Sequence, residues 1–126
     1  MLFYELCNFT RNKSDKIYDD AKVAVIDESG YRRYLTGMEY NERELAFVVP
    51  DYPNEYEDGM SAKQLLDKVS TLKATGFDGR VVVFEDMDFA REAEPIKGWV
   101  DDDDYSIIFD TDYWQNKSAR TAATPS

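Results

Sequence analysis

The chain has 126 residues, 43% of them hydrophobic, which suits one ordinary domain with a core of its own. Its 26 Asp and Glu against 15 Lys and Arg give a formal charge of -11, which excludes direct binding of nucleic acid or anionic membranes and favours cations and basic proteins. There is no histidine to act as a catalytic base, and with Cys7 the single cysteine there is neither an internal disulfide nor a Cys/His zinc site.

Residues 1–12 are ambiguous. Leu2, Leu6 and Phe9 have helical spacing, while Phe3, Tyr4 and Phe9 also suit a strand. Met1 to Leu6 lack a basic region and a sustained apolar stretch, and nowhere do about eighteen apolar residues run together, so the expectation is a cytoplasmic chain without a membrane span. Lys22–Glu28 reads as a strand, followed by the turn signal Glu28-Ser29-Gly30 and by two further strands through Leu35–Met38 and Leu45–Val49. Residues 51–59, rich in proline and acid, read as an exposed linker without regular structure.

A well-signed helix follows. Ser61 and Gln64 form a capping box, Leu65, Leu66, Val69 and Leu72 make one apolar stripe, and Gly76 supplies a left-handed stop. Strands are then expected at Arg80–Asp86, Ile96–Trp99 and Tyr105–Phe109, with a long loop through Asp88 and Arg91. Val23 to Ile26 and Val81 to Phe84 are apolar at every position, as in central strands covered on both faces. Residues 112–126 turn to Lys, Ser, Ala, Thr and Pro and read as a flexible tail.

The second half can be laid over the first. Lys22–Glu28 falls on Arg80–Asp86, Leu35–Met38 on Ile96–Trp99, Leu45–Val49 on Tyr105–Phe109, and Met1 on Met60. The expected fold is therefore α+β, with two tandem repeats of a helix plus a three-stranded antiparallel meander, residues 1–50 and 60–111, in one compact body. In this alignment the second copy has the longer first loop and a slightly shorter second one.

The chain carries no phosphate cradle and no His-dependent triad, so neither an enzyme nor a cofactor is expected. Asp101, Asp102, Asp103 and Asp104 with Asp110 or Asp112 are the one candidate set for a divalent ion, but they lack the alternating ligands, glycine and closing glutamate of an EF-hand loop. A better use for the acids is protein binding. Asp101 to Asp104 align with Asn41-Glu42-Arg43-Glu44, placing both runs, with Glu42 and Glu44, on projecting turns, because consecutive acids cannot share one face of a strand. Asp86, Asp88, Glu92 and Glu94 are placed on the other loop of the second copy, and Glu55, Glu57 and Asp58 in the linker. Tyr40, Tyr52, Tyr56, Trp99 and Tyr105 flank these acids and would supply desolvated anchors.

Met60–Lys68, then Arg80–Asp86, then Glu94-Pro95-Ile96-Lys97-Gly98-Trp99 resembles small accessory proteins of phage and prophage genomes. The resemblance covers the second half and brings no catalytic residues. With the acidic composition it implies an inhibitor of the anti-CRISPR or anti-restriction type, acting in the host cytoplasm on the basic surface of a nucleic-acid-binding protein by mimicking nucleic-acid charge. A phage assembly module that forms homodimers through apolar sheet faces, and a divalent-metal-binding protein, are the alternatives.

Overall fold

The computed structural model describes residues 1–27, 29–85 and 88–111, and for residues 88–92 the backbone alone. The order is α1 (Phe3–Asn12), β1 (Val23–Ile26), β2 (Arg32–Tyr34), β3 (Gly37–Tyr40), β4 (Glu44–Val49), a 3-10 turn (Tyr56–Asp58), α2 (Ala62–Ala74), β5 (Arg80–Glu85), β6 (Asp88–Ala93), β7 (Pro95–Val100) and β8 (Ile107–Thr111). The fold is α+β.

The amino-terminal segment is a helix. Its start is fixed by Glu5, whose carboxylate accepts the Leu2 N–H at 3.0 Å, and it turns Phe3, Leu6 and Thr10 inward. In α2 the Ser61–Gln64 box forms as its sequence requires. The helix ends in a Schellman motif: Phe77 N–H donates to the Leu72 carbonyl and Gly76 N–H to Lys73, with Gly76 at φ +79°.

The strands do not form two meanders. Each half contributes four strands, and its two hairpins part company into different sheets, ordered β2-β1-β8-β7 and β3-β4-β5-β6. Both sheets are mixed: their central pairs, β1 with β8 and β4 with β5, run parallel, and the outer pairs antiparallel. Strand-level pairing is fixed by long-range register and burial, which no local turn signal specifies. Asp88 and Glu92, expected on a loop, lie in β6, paired with β5.

The alignment of the last strands is also corrected. In the parallel pairs Val23 faces Ile107 and Val81 faces Leu45, so Leu45 corresponds to Ile107 rather than Tyr105. Counted between paired residues, the turn from Val100 to Ile107 is two residues longer than the turn from Tyr40 to Leu45, not shorter. With that register the four central strands share one burial sequence: three buried residues, one half-buried, one buried, ending at Asp27, Val49, Glu85 and Thr111.

Val23, Val25, Leu45, Phe47, Val81, Val83, Ile107 and Phe109 face one core, which α1 and α2 help to close. Phe47 of one sheet and Phe109 of the other lie 5.4 Å apart, so the sheets pack directly. The helix entries cross between halves: Val81 N–H donates to Met1 O, and Val23 N–H to Met60 O.

Arg32 and Arg33 follow each other in β2, so alternation sends them to opposite faces. Arg33 goes inward. It is 6% exposed, and its guanidinium meets Asp27 at 3.2 Å, Glu85 of the other sheet at 3.6 Å and the Pro50 carbonyl at 3.2 Å. This buried ionic group ties the two sheets together at the ends of β1 and β5.

Residues 51–59 are not a bare linker. Asn54 bonds both the N–H (2.7 Å) and the carbonyl (3.1 Å) of Tyr34, occupying the free edge of β2, and Tyr56 stacks edge-on against Tyr34 at 5.6 Å. Gly59 passes so close that a Cβ there would lie 2.9 Å from the Tyr34 Cβ. The segment thereby covers Ala24 and Ile108 on the outer face of the first sheet. The expected tail, residues 112–126, lies outside the described residues.

Candidate functional site

The aspartate turn follows from its first residue. Asp101 Oδ1 accepts the N–H groups of Asp103 (2.7 Å) and Asp104 (3.2 Å), and Asp101 also pairs through its backbone with Ser106 and Tyr105. Asn41 does the same on the other turn, accepting from Arg43 (2.8 Å) and Glu44 (2.9 Å). Two of the four aspartates are engaged within the molecule: Arg32, crossing the outer face, reaches Asp101 Oδ2 and Asp104 Oδ2, each at 2.6 Å. Asp102 and Asp103 stay exposed.

Holding this turn puts Tyr105 at φ +61°, a conformation that costs a non-glycine residue roughly 1–3 kcal/mol. Its ring projects outward and meets Tyr18, also exposed, at 4.8 Å in an edge-on pair. Tyr56 packs on the outer face of the first sheet, against Tyr34 and Ile108. Its phenol is pushed up by burial and then by the negative charge of Asp104 and Asp20, with Tyr34 and Glu57 adding to the shift. Three segments distant in sequence, around residues 18–20, 56–57 and 102–105, thus converge on one acidic, tyrosine-rich surface. Arg32 and Lys22 are cations within it: Arg32 on the aspartate turn, and Lys22 with its ammonium donating to the Gly59 carbonyl at 2.9 Å and lying 5.9 Å from the Tyr56 ring.

The remaining residues expected at the site are dispersed. Trp99 shares the outer face of the first sheet, opposite Ile108, with Lys97 6.0 Å from its ring. Glu55 and Asp58 close their own 3-10 turn, Asp58 accepting the Glu55 N–H at 3.0 Å. Glu44 pairs with Arg80 at 3.0 Å, Glu42 is exposed on the turn of the other sheet, and Tyr40 stands 4.9 Å from the Lys68 ammonium. These three share no hydrogen bond or ion pair with the aspartate turn among the described residues. Asp86 lies outside the described residues, and of Asp88 only the backbone is described.

Of the candidate metal ligands, Asp101 and Asp104 hold Arg32, Asp110 accepts the Thr111 N–H at 3.2 Å, and Asp112 lies outside the described residues. Among the described residues no three metal-ligating side chains converge, and no helix is long and apolar enough to cross a membrane. No protein-family model, curated protein or solved structure matches the chain.

Sequence reasoning missed Tyr18, Asp20 and Arg32. A usable signal was present for Arg32: of two consecutive arginines on a strand, one must face away from the core. In a chain this acidic, that outward arginine has carboxylates to meet.

Asp104 gives a pH prediction. Burial raises its carboxyl, but the Ser106 backbone and side chain and then Arg32 outweigh it, holding the group below its ordinary value of 3.8. A depressed carboxylate stabilises the fold above the unfolded value and loses that contribution as pH falls through the lower folded value. Urea midpoints of the native protein should therefore fall below about pH 4. In Asp104→Asn that acid-dependent drop should be smaller, the neutral-pH midpoint being lower to begin with.

Proposed function

We propose that this protein is a non-enzymatic acidic binding protein that docks on the basic surface of a nucleic-acid-binding protein, its carboxylates standing in for backbone phosphates. The observation that carries this reading is the gathering of Asp20, Glu57 and the aspartate turn around Tyr56, with Asp102 and Asp103 exposed on that turn, beside the exposed Tyr18–Tyr105 pair. Exposed ion pairs are worth only about 0–1 kcal/mol each, so charge supplies encounter rate and register while the rings supply the desolvated anchors. Duplex nucleic acid presents one negative charge per roughly 1.7 Å of axis, and a groove built for it is the kind of receptor such a surface suits.

The likeness to phage accessory proteins points to a host defence protein of the kind that anti-CRISPR and anti-restriction inhibitors block, in the host cytoplasm. Internal duplication belongs to the same reading. It is supported by the exchange of halves that turns one sheet order into the other, by the shared burial sequence of the central strands, and by the paired helix-entry bonds. The two copies have diverged in use: the first copy's turn commits Glu44 to Arg80, and the second copy's turn, with the 51–59 segment, forms the docking face.

The test is capture of partners from a bacterial lysate, followed by elution with short duplex DNA. A partner competing for the same groove is released by the duplex and retained under an equal concentration of a neutral polymer. Retention in the presence of excess duplex contradicts the reading.

A further inference from the structure

Away from the acidic surface, a groove of about 350 Å³ runs between α1 and the end of α2. Phe3, Cys7 and Arg11 recur every four residues along α1 and so line up on one stripe facing it. Its floor is apolar: Phe3 is buried and meets Phe77 edge-on at 5.0 Å. The Cys7 thiol stands over this floor, half-buried, and Arg11 and Lys73 line the same groove, where burial raises the thiol's pKa against the pull of those two cations.

Those two cations set the groove apart. In a chain of charge -11, neither Arg11 nor Lys73 forms an ion pair among the described residues; Arg11 donates only to the Asn8 side chain, at 2.9 Å. Asp78 is the single acid of the lining. The local balance is therefore positive over an aromatic floor, the combination that orients a ligand with an apolar body and one negative end. The volume lies at the small end of the range of ligand pockets, about 300–1,000 Å³.

We infer that this groove is a binding site for a small carboxylate with a ring-sized apolar body, its carboxylate held by Arg11 and Lys73 and its ring laid on Phe3 and Phe77. The planar guanidinium donates two parallel N–H bonds to a carboxylate, and the Lys73 ammonium adds a third donor. The Cys7 thiol forms part of the wall.

Cys7, the single cysteine, reports occupancy directly. The full chain is treated with N-ethylmaleimide, with or without 4-phenylbutyrate, and the alkylation rate is followed by mass spectrometry. The expected result is a rate at least about fivefold lower with saturating 4-phenylbutyrate and little changed by 4-phenylbutanol, which has the ring without the charge. In the charge-reversed variant R11E/K73E, with its far-UV circular dichroism intact, protection by the acid should vanish. A milder variant, Lys73→Gln, keeps the test available if the double variant does not fold and should raise the half-protecting concentration severalfold. Equal protection by acid and alcohol, protection by neither, unchanged protection in a folded variant, or a Cys7 that does not react in the native protein would each overturn the inference.

Discussion

Arg33→Met is expected to lower the stability of the protein by roughly 3–5 kcal/mol, a large part of the 5–15 kcal/mol typical of a folded domain. Arg33, Asp27 and Glu85 are 6%, 7% and 4% exposed, so removing the guanidinium leaves two carboxylates in the interior without the cation that sits between them. The two acids also come from different sheets, so their repulsion acts on the joint between the sheets. Neutralising the whole group should behave differently. Asp27→Asn combined with Arg33→Met and Glu85→Gln removes the charges together and keeps the Asp27 Oδ1 position that accepts Ser29 and Tyr31 N–H, both at 2.9 Å. That triple variant should recover most of the loss, because isosteric replacement of a buried ionic group is commonly neutral or better. Urea unfolding of the native protein and both variants decides it; a single variant as stable as the native protein would show that the ionic joint contributes nothing net.

Gly79→Ala should be the second severe change. Where β4 and β5 begin side by side, Arg80 N–H donates to the Arg43 carbonyl at 3.0 Å. A Cβ on Gly79 would overlap that same carbonyl and lie 2.7 Å from the Phe77 ring. The ring can turn aside, but the carbonyl is backbone and moves only if the parallel pair opens at its start. Overpacking of this kind costs roughly 1–3 kcal/mol, and here it should reach the upper end. Gly37→Ala is the internal control, since a Cβ there meets nothing within 4 Å. Thermal unfolding should show a clear drop for the first and near-native behaviour for the second; similar melting of the two variants would contradict this packing.

The sequence was most legible where a local signal had one structural meaning. The Ser61–Gln64 box and Gly76 bound α2, and the unbroken apolar runs at Val23 and Val81 placed β1 and β5 at the centres of their sheets. Residues 1–12 carried both helical spacing and strand propensity, and the Glu5 cap with burial of Phe3 and Leu6 decided for helix. The division into two sheets was not legible, because which distant strand lies beside β1 or β5 depends on the shared core and not on any turn.

The candidate site divides along the same line. Exposed acids and tyrosines could be named from composition, but their use could not. Asp101 and Asp104 are committed to Arg32 and to their own turn, and Glu44 to Arg80. Tyr18 and Asp20 join the surface through folding alone, since nothing in their local sequence distinguishes them from a solvated loop.

These commitments narrow the residues on which the functional proposal rests to Asp20, Glu57, Asp102 and Asp103, with Tyr18 and Tyr105 as anchors. The most direct measurement is the affinity of the chain for a partner isolated by the capture experiment, taken across a salt series for the native protein and for D20N/E57Q/D102N/D103N. All four side chains are exposed and are outside the ion pairs that hold the fold, so melting should be unchanged. At roughly 0.3–0.5 kcal/mol for each exposed carboxylate, the variant should bind about tenfold more weakly at low salt, with a visibly flatter salt dependence. The same affinity and the same slope in both proteins would contradict the account.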